Sequence, residues 1–344
     1  MPALPFANKL QPLTKVLKRL TTIAPQEPTL TVGLDLGSSS IKAIALGPRK
    51  GASVRPIVAQ SLTPLQAGQD VDASEAMKTA IAGLNLSVKT INLSVSGQWV
   101  IIRIVEMPTM NPREVKQALP FEAQRYLPFN VSDVLIDGAV LGPADANKSW
   151  VLIVACKKEL IDRRIDWAKR IGLDVALIDV DALALANAFL GSGGGRSREA
   201  MCALMSVGAQ LTSLLIFQGD TPYLVRDIPW GGEKLARNTA EQLGLEPAAV
   251  QQQLLQDQVP PELAGALKLS TETLITELQL SFDYFENRFG QPPETMFVSG
   301  GLSQNVGFMT ALKSHLTQPV TPWTPVKGLS GQFAVAYGLA LRAN

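Results

Sequence analysis

Residues Val32–Ala45 read VGLDLGSSSIKAIA, and residues Ala203–Ile216 read ALMSVGAQLTSLLI. Set against each other, the two stretches place Asp35 on Ser206 and Gly37 on Gly208, at an offset of about half the 344-residue chain. Each is an apolar strand, a turn of small residues and a second apolar strand, which is the pattern of a β-hairpin. One such hairpin in each half implies a duplicated α/β domain with a ligand held between the copies. Small residues in the turns let backbone N–H groups converge on an anion that bulky side chains would keep away. Ser38, Ser39 and Ser40 add hydroxyl donors beside Gly37, and Lys42 adds a positive charge. Asp35 stands near the end of its strand. A carboxylate there can hold Mg2+ through water, because magnesium keeps much of its hydration shell. The plainer reading is a hairpin that needs glycine for its turn, with Asp35 bonded locally.

The rest of the chain narrows the options. Its length allows two cores of ordinary size. With 46% hydrophobic and 18% charged residues, it reads as folded, not disordered. The 31 basic and 30 acidic residues leave a net charge of +1, which gives no general attraction for nucleic acid. Cys156 and Cys202 lack CxxC spacing, so a metal site or redox pair is not indicated and a reducing cytoplasm is expected. His315 is the sole histidine; it reads as a surface residue and leaves little material for a His-based triad or zinc site. No apolar run is long enough to span a membrane. Residues 1–30 carry one suggestive segment, in which Leu10, Leu13, Leu17 and Leu20 share a helical face among Lys9, Lys15, Lys18 and Arg19. Such a helix can lie on an acidic membrane surface, dock on the body of the protein, or remain a loose tail.

The first half is expected over 31–190 and the second over 199–344, joined by the glycine-rich GSGGGRSR of 191–198. That joint lacks the Gly-Lys-Ser/Thr ending of a P-loop and precedes a strand, so it is not read as one. Within the first half, about 98–175 reads as an inserted strand-helix-strand-strand subdomain, with its helix over Pro112–Tyr126 capped by Asn111. In the second half a long helix is expected over Thr271–Phe289, and Ser303 is expected to cap the helix that follows it. Trp230-Gly231-Gly232-Glu233 opens a helix, and Ser299-Gly300-Gly301 links a buried strand to another. Glycine turns between strand and helix are where nucleotides dock, although each could serve packing alone.

The order of these turns resembles the actin, sugar kinase and heat-shock chaperone superfamily. The segments MPTMNPREVKQALPFEAQRYLPF (Met107–Phe129), VLIDGAVLG (Val134–Gly142), the run from Val151 to Phe189, DIPWGGEKL (Asp227–Leu235) and VSGGLSQNVGF (Val298–Phe308) resemble the PilM family of type IV pilus assembly. The resemblance implies a duplicated actin-like (RNase H-like) ATPase fold with an FtsA-like inserted subdomain. It implies ATP or ADP with Mg2+. Phosphate contacts would fall on Asp35, Gly37, Ser38, Ser39, Ser40 and Lys42, and on Gly208, Gln210 and Thr212. Adenosine contacts would fall near Gly232, Glu233, Gly300 and Gly301.

The implied partner is the N-terminal cytoplasmic peptide of PilN, a single-pass inner-membrane protein. Its groove would lie near Pro108, Phe121, Tyr126 and Phe129, unless those side chains are the insert's own core. Further pilus assembly proteins, the motor ATPases, self-association and a peripheral place at the inner membrane are also implied, in service of twitching motility or competence. One departure stands out. Ser206 occupies the place of the second acidic residue, and a hydroxyl is a poorer partner for a magnesium shell than a carboxylate. Nucleotide binding with little or no hydrolysis is therefore expected. Two alternatives are a small-molecule kinase, with Asp179 or Asp181 as base, and an FtsA-like polymerising protein. The latter type usually ends in an amphipathic membrane helix, whereas this sequence stops at Asn344.

Overall fold

The computed structural model describes residues 30–49, 55–65, 72–193, 201–254 and 259–342. The N-terminal amphipathic segment and most of the glycine-rich joint lie outside them. The first hairpin is strand β1 (Thr31–Leu36) against β2 (Ser40–Leu46), extended by β3 (Ile57–Pro64). The middle of β1 is buried on both faces, as a central strand must be. β3 alternates half-buried and exposed residues, as an edge strand does. The helix Ser74–Ala82 then leads to β4 (Thr90–Val95), which pairs parallel with β1.

After β4 the chain leaves for a separate antiparallel sheet of β5 (Val100–Pro108), β6 (Val134–Pro143) and β7 (Lys148–Lys157), ordered β5-β7-β6. The helix Pro112–Ala123 covers it, closed at its start by a capping box between Asn111 and Glu114. Val105, Met107, Val115, Leu119, Val151 and Ile153 form the core of this unit. The chain returns through the helix Lys158–Arg170 to β8 (Asp174–Val180), parallel to β4. Ala168 and Trp167 of that helix pack with Val32, Leu34 and Met77 in the first-half core. Leu160 of the same helix packs with Ile102, Trp150, Leu152 and Cys156 of the inserted sheet, so the helix bridges the two units, and the inserted sheet itself ends at Lys157.

The second half repeats the plan. Strands β9 (Met201–Val207), β10 (Thr212–Gln218) and β11 (Thr221–Ile228) form an antiparallel meander, and β12 (Thr295–Gly300) and β13 (Val320–Pro322) add in parallel. The order β11-β10-β9-β12-β13 matches β3-β2-β1-β4-β8 of the first half, strand for strand and sense for sense. The long helix runs over Pro261–Phe289, ten residues earlier than expected. Pro261 supplies the start and Gly290, at φ +85°, the stop. Ser303 does not cap the Val306–His315 helix. Asn305 does, accepting from Phe308 N, while Ser303 Oγ donates to the Gly300 carbonyl at 2.8 Å. Both residues are good caps, and only the intervening turn decides between them.

Among the described residues the halves meet at several places, including a shared core in which Phe189 packs on Phe217, Phe297 and Trp323. The insert leans on the second half, with Trp150 centred 6.1 Å from Tyr223 and 5.4 Å from Phe289, under the Arg288 guanidinium at 4.4 Å. The last helix, Ala334–Leu341, follows the second half in sequence but packs into the first. Asn92 Nδ2 donates to the Leu339 and Arg342 carbonyls at 2.8 and 2.9 Å, and Arg342 pairs with the buried Asp179 at 2.8 Å. Where this helix crosses the helix Asp181–Gly191, glycine is required. A Cβ on Gly338 would stand 1.8 Å from the Ala184 carbonyl oxygen.

Candidate functional site

The first-half turn is built by charge and lack of bulk. Asp35 and Lys42 face each other in the β1/β2 register, with Nζ 3.3 Å from the carboxylate. Asp35 is buried. Burial pushes its carboxyl above the ordinary value, Lys42 draws it back down, and Asp181 pushes it up again. A Cβ on Gly37 would sit 2.9 Å from the Ser40 carbonyl oxygen and 2.7 Å from Lys42 Nζ, so glycine suits the tight turn. Ser38 and Ser39 are exposed at the tip, while Ser40 is buried.

The second-half turn is held from behind. Gly232 N and Glu233 N, the first amides of the helix Gly232–Leu243, donate to the Gly208 and Ala209 carbonyls at 2.9 and 2.8 Å. Glu233 also accepts from Gln210 Nε2 at 3.1 Å. Gln210 and Glu233 line an open cavity of about 300 Å³ with Lys234, Arg237 and Asn238. Thr212 differs from its expected role. It is fully buried and its hydroxyl donates to the Trp230 carbonyl at 2.7 Å, so it anchors the turn and presents no donor to a ligand. Gly300 has φ +87° and runs hard against β9, where a Cβ would lie 2.3 Å from the Val207 carbonyl oxygen. Gly301 is exposed with open space around it. Leu302 lies against Gly232, which brings the two glycine turns together.

A carboxylate that the hairpin comparison overlooked stands at the boundary between the halves. Asp227, at the end of β11, accepts from Ser213 Oγ at 2.8 Å and from Gly97 N of the first half at 3.4 Å. Burial pushes its carboxyl up, and Asp181 adds to this. The signal was present in the DIPWGG segment, but its relation to position 206 depends on strand register. Asp179, one of the two bases considered for a kinase, is ion-paired with Arg342. Among the described residues, no group of three or more His, Cys, Asp or Glu side chains is arranged to hold a metal ion.

The four aromatic and proline positions of the insert do not form one patch. Phe121 is 77% exposed on the helix Pro112–Ala123. Tyr126 is half-buried against the insert core and donates to Glu122 at 3.3 Å. Phe129 packs on Trp99, with Lys157 Nζ over both rings. Pro108 ends β5 at the far side from Trp99, about 30 Å away along the strand.

A family model described as type IV pilus assembly protein PilM matches residues 33–344. A solved PilM–PilN type IV pilus biogenesis complex matches with a TM-score of 0.79 at 22% identity, over 92% of this chain and 98% of that one. The ethanolamine utilization protein EutJ from Carboxydothermus hydrogenoformans matches with a TM-score of 0.56 at 14% identity, over 93% of this chain and 92% of its own. The two matches show that this chain has the actin-like fold. Among the described residues no helix is long and apolar enough to cross a membrane. The family match spans nearly the whole chain, and the protein is therefore a member of the PilM family of type IV pilus assembly proteins.

Proposed function

We propose that the protein is a nucleotide-binding scaffold of pilus assembly, holding ATP or ADP with Mg2+ between its halves and the N-terminal cytoplasmic peptide of PilN on its insert. The observation that carries the nucleotide reading is the pair of glycine turns at equivalent points of two equivalent sheets. The residues fit such a ligand. Gly37 leaves room above Lys42, and Ser38 and Ser39 offer exposed hydroxyls. Gly37, Ser38, Ser39, Ser40 and Lys42 would hold phosphate oxygens from one side, and Gly208 and Gln210 from the other. Gly232, Glu233, Gly300 and Gly301 would border the nucleoside. Thr212 would act through the turn it anchors. Mg2+ would arrive with the phosphates and be held by Asp35 through water. When bound, the nucleotide supplies a polyanion that ties the two turns together.

Ser206 is why hydrolysis should be slow. A neutral hydroxyl cannot orient and activate a water as a carboxylate can. Calorimetry with ATP and magnesium, followed by phosphate release on the same sample, tests both points. Binding with no phosphate release above background is expected, and Asp35→Ala should weaken binding about tenfold or more through loss of the magnesium shell. Unchanged affinity in that variant would refute the site.

The PilN reading is supported by family membership and by the relative solved together with PilN. Further pilus proteins, the motor ATPases, self-association and a peripheral place at the inner membrane belong to the same proposal. Phe121 is the side chain to test first, because at 77% it is the most exposed of the large hydrophobic side chains among the described residues. Phe121→Ala should weaken a PilN-type peptide about tenfold and leave the melting temperature unchanged. An equal affinity would move the groove elsewhere on the insert.

A further inference from the structure

The second half has no carboxylate at position 206, but one lies in the same cross-strand row. Register pairs Ser206 with Ser213 and Ser213 with Asp227 across β9, β10 and β11. Residues opposite one another in a sheet share a face. The matching row of the first half reads Asp35, Lys42, Leu62. The acidic group of the second half therefore stands two strands from its expected place, about 10 Å away.

That displacement puts Asp227 in contact with the first half, and its two oxygens serve different masters there. Oδ1 is fixed within its own half by Ser213 Oγ at 2.8 Å. Oδ2 reaches across to the Gly97 amide at 3.4 Å, the long end of hydrogen bonding. Gly97 has φ +85° and lies in the turn between β4 and β5, where the chain leaves the first-half sheet for the insert. Its carbonyl accepts from Val100 N at 3.0 Å, at the first residue of β5. Two residues after Gly97, the Trp99 ring lies under Lys157 Nζ at 4.0 Å, and the Trp99 carbonyl accepts from Lys157 N at 3.1 Å. The entry and the exit of the insert are thus joined immediately beside the tie.

We propose that Asp227 is a positioning residue that couples the nucleotide cleft to the insert, by holding the sheet of the second half against the turn at the insert's stem. The proposal rests on the nucleotide-binding reading above. Drawing the two halves together around a polyanion moves β11 relative to Gly97, because Asp227 is fixed to β10 through Ser213. The stem turn then shifts with it, and the insert shifts with the stem. Coupling of this kind is reciprocal: what fills the cleft biases the insert, and what binds the insert biases the cleft.

Amide hydrogen exchange on the full chain, with and without ATP and magnesium, tests it. In the unaltered protein, nucleotide should slow exchange at both turns, 36–41 and 207–212, and change exchange at 96–100 severalfold. In Asp227→Ala the turns should still be protected, while the change at 96–100 is lost. Should that variant fold poorly, Asp227→Val keeps a strand-favouring residue on β11 and removes the same acceptor. A change at 96–100 as large in the variant as in the unaltered protein would overturn the proposal. So would protected turns with no change at 96–100 in the unaltered protein. Absence of protection at both turns would instead overturn the nucleotide reading itself.

Discussion

Gly338→Ala should destabilise the protein by at least about 3 kcal/mol, the upper range of overpacking costs. The added Cβ would stand 1.8 Å from the carbonyl oxygen of Ala184 and 2.6 Å from its carbonyl carbon. Both are backbone atoms in a helix, so no side-chain rotation can relieve the clash. The two helices must move apart, and that loosens Tyr337 and Ala340 from Ile44, Leu46 and Ala188. Gly301→Ala is the control, since nothing lies within 4 Å of its would-be Cβ. Urea unfolding should show a large loss for the first variant and almost none for the second. Equal stabilities would mean that the helix crossing is not close-packed in solution.

The second large effect is expected at the ion pair between Arg342 and Asp179. Asp179 is 8% exposed, and its carboxyl is pushed up by burial and drawn down by Arg342. Arg342→Ala leaves a buried carboxylate without its cation, a change that costs about 3 kcal/mol in comparable sites. Part of the arginine side chain is exposed, so a somewhat smaller loss is reasonable. The sign of the pH dependence follows from linkage. A carboxyl whose folded pKa is raised binds protons more readily folded than unfolded. Its favourable contribution is therefore complete below the unfolded value and is lost as pH rises through the folded one. Losing Arg342 raises the folded value further. The variant's deficit should accordingly be largest near neutrality and shrink on acidification toward the ordinary aspartate range. A deficit that grows in acid would contradict this account of the pair.

Much of this was legible in the chain. The 171-residue offset between the hairpins is a local pattern, and it survives as two sheets of identical order. The mismatch of Ser206 with Asp35 could be read directly from the alignment. Asp227 could not, because its relation to Ser206 runs through two strand pairings and appears only with the register. Thr212 was misread for a similar reason. Its residue type suits a phosphate contact, but on β10 its side chain faces the core. The helix Lys158–Arg170 packs on both sheets, and the Met77 that meets its Trp167 and Ala168 lies about 90 residues away in sequence. The aromatic residues of the insert looked like one groove because they are close in sequence, yet β5 holds Pro108 and the Trp99–Phe129 pair at opposite ends.

The placement of Ala334–Leu341 on the first half also bears on how the chain emerges from the ribosome. Ile44 and Leu46 are completed by Tyr337 and Ala340, which are translated nearly 300 residues later. At 5–20 residues per second, residues 31–190 would wait roughly 7–30 s for the helix that covers them. During that interval the nascent first half presents an apolar surface to its surroundings. The core of the first half is therefore completed only when the last helix arrives.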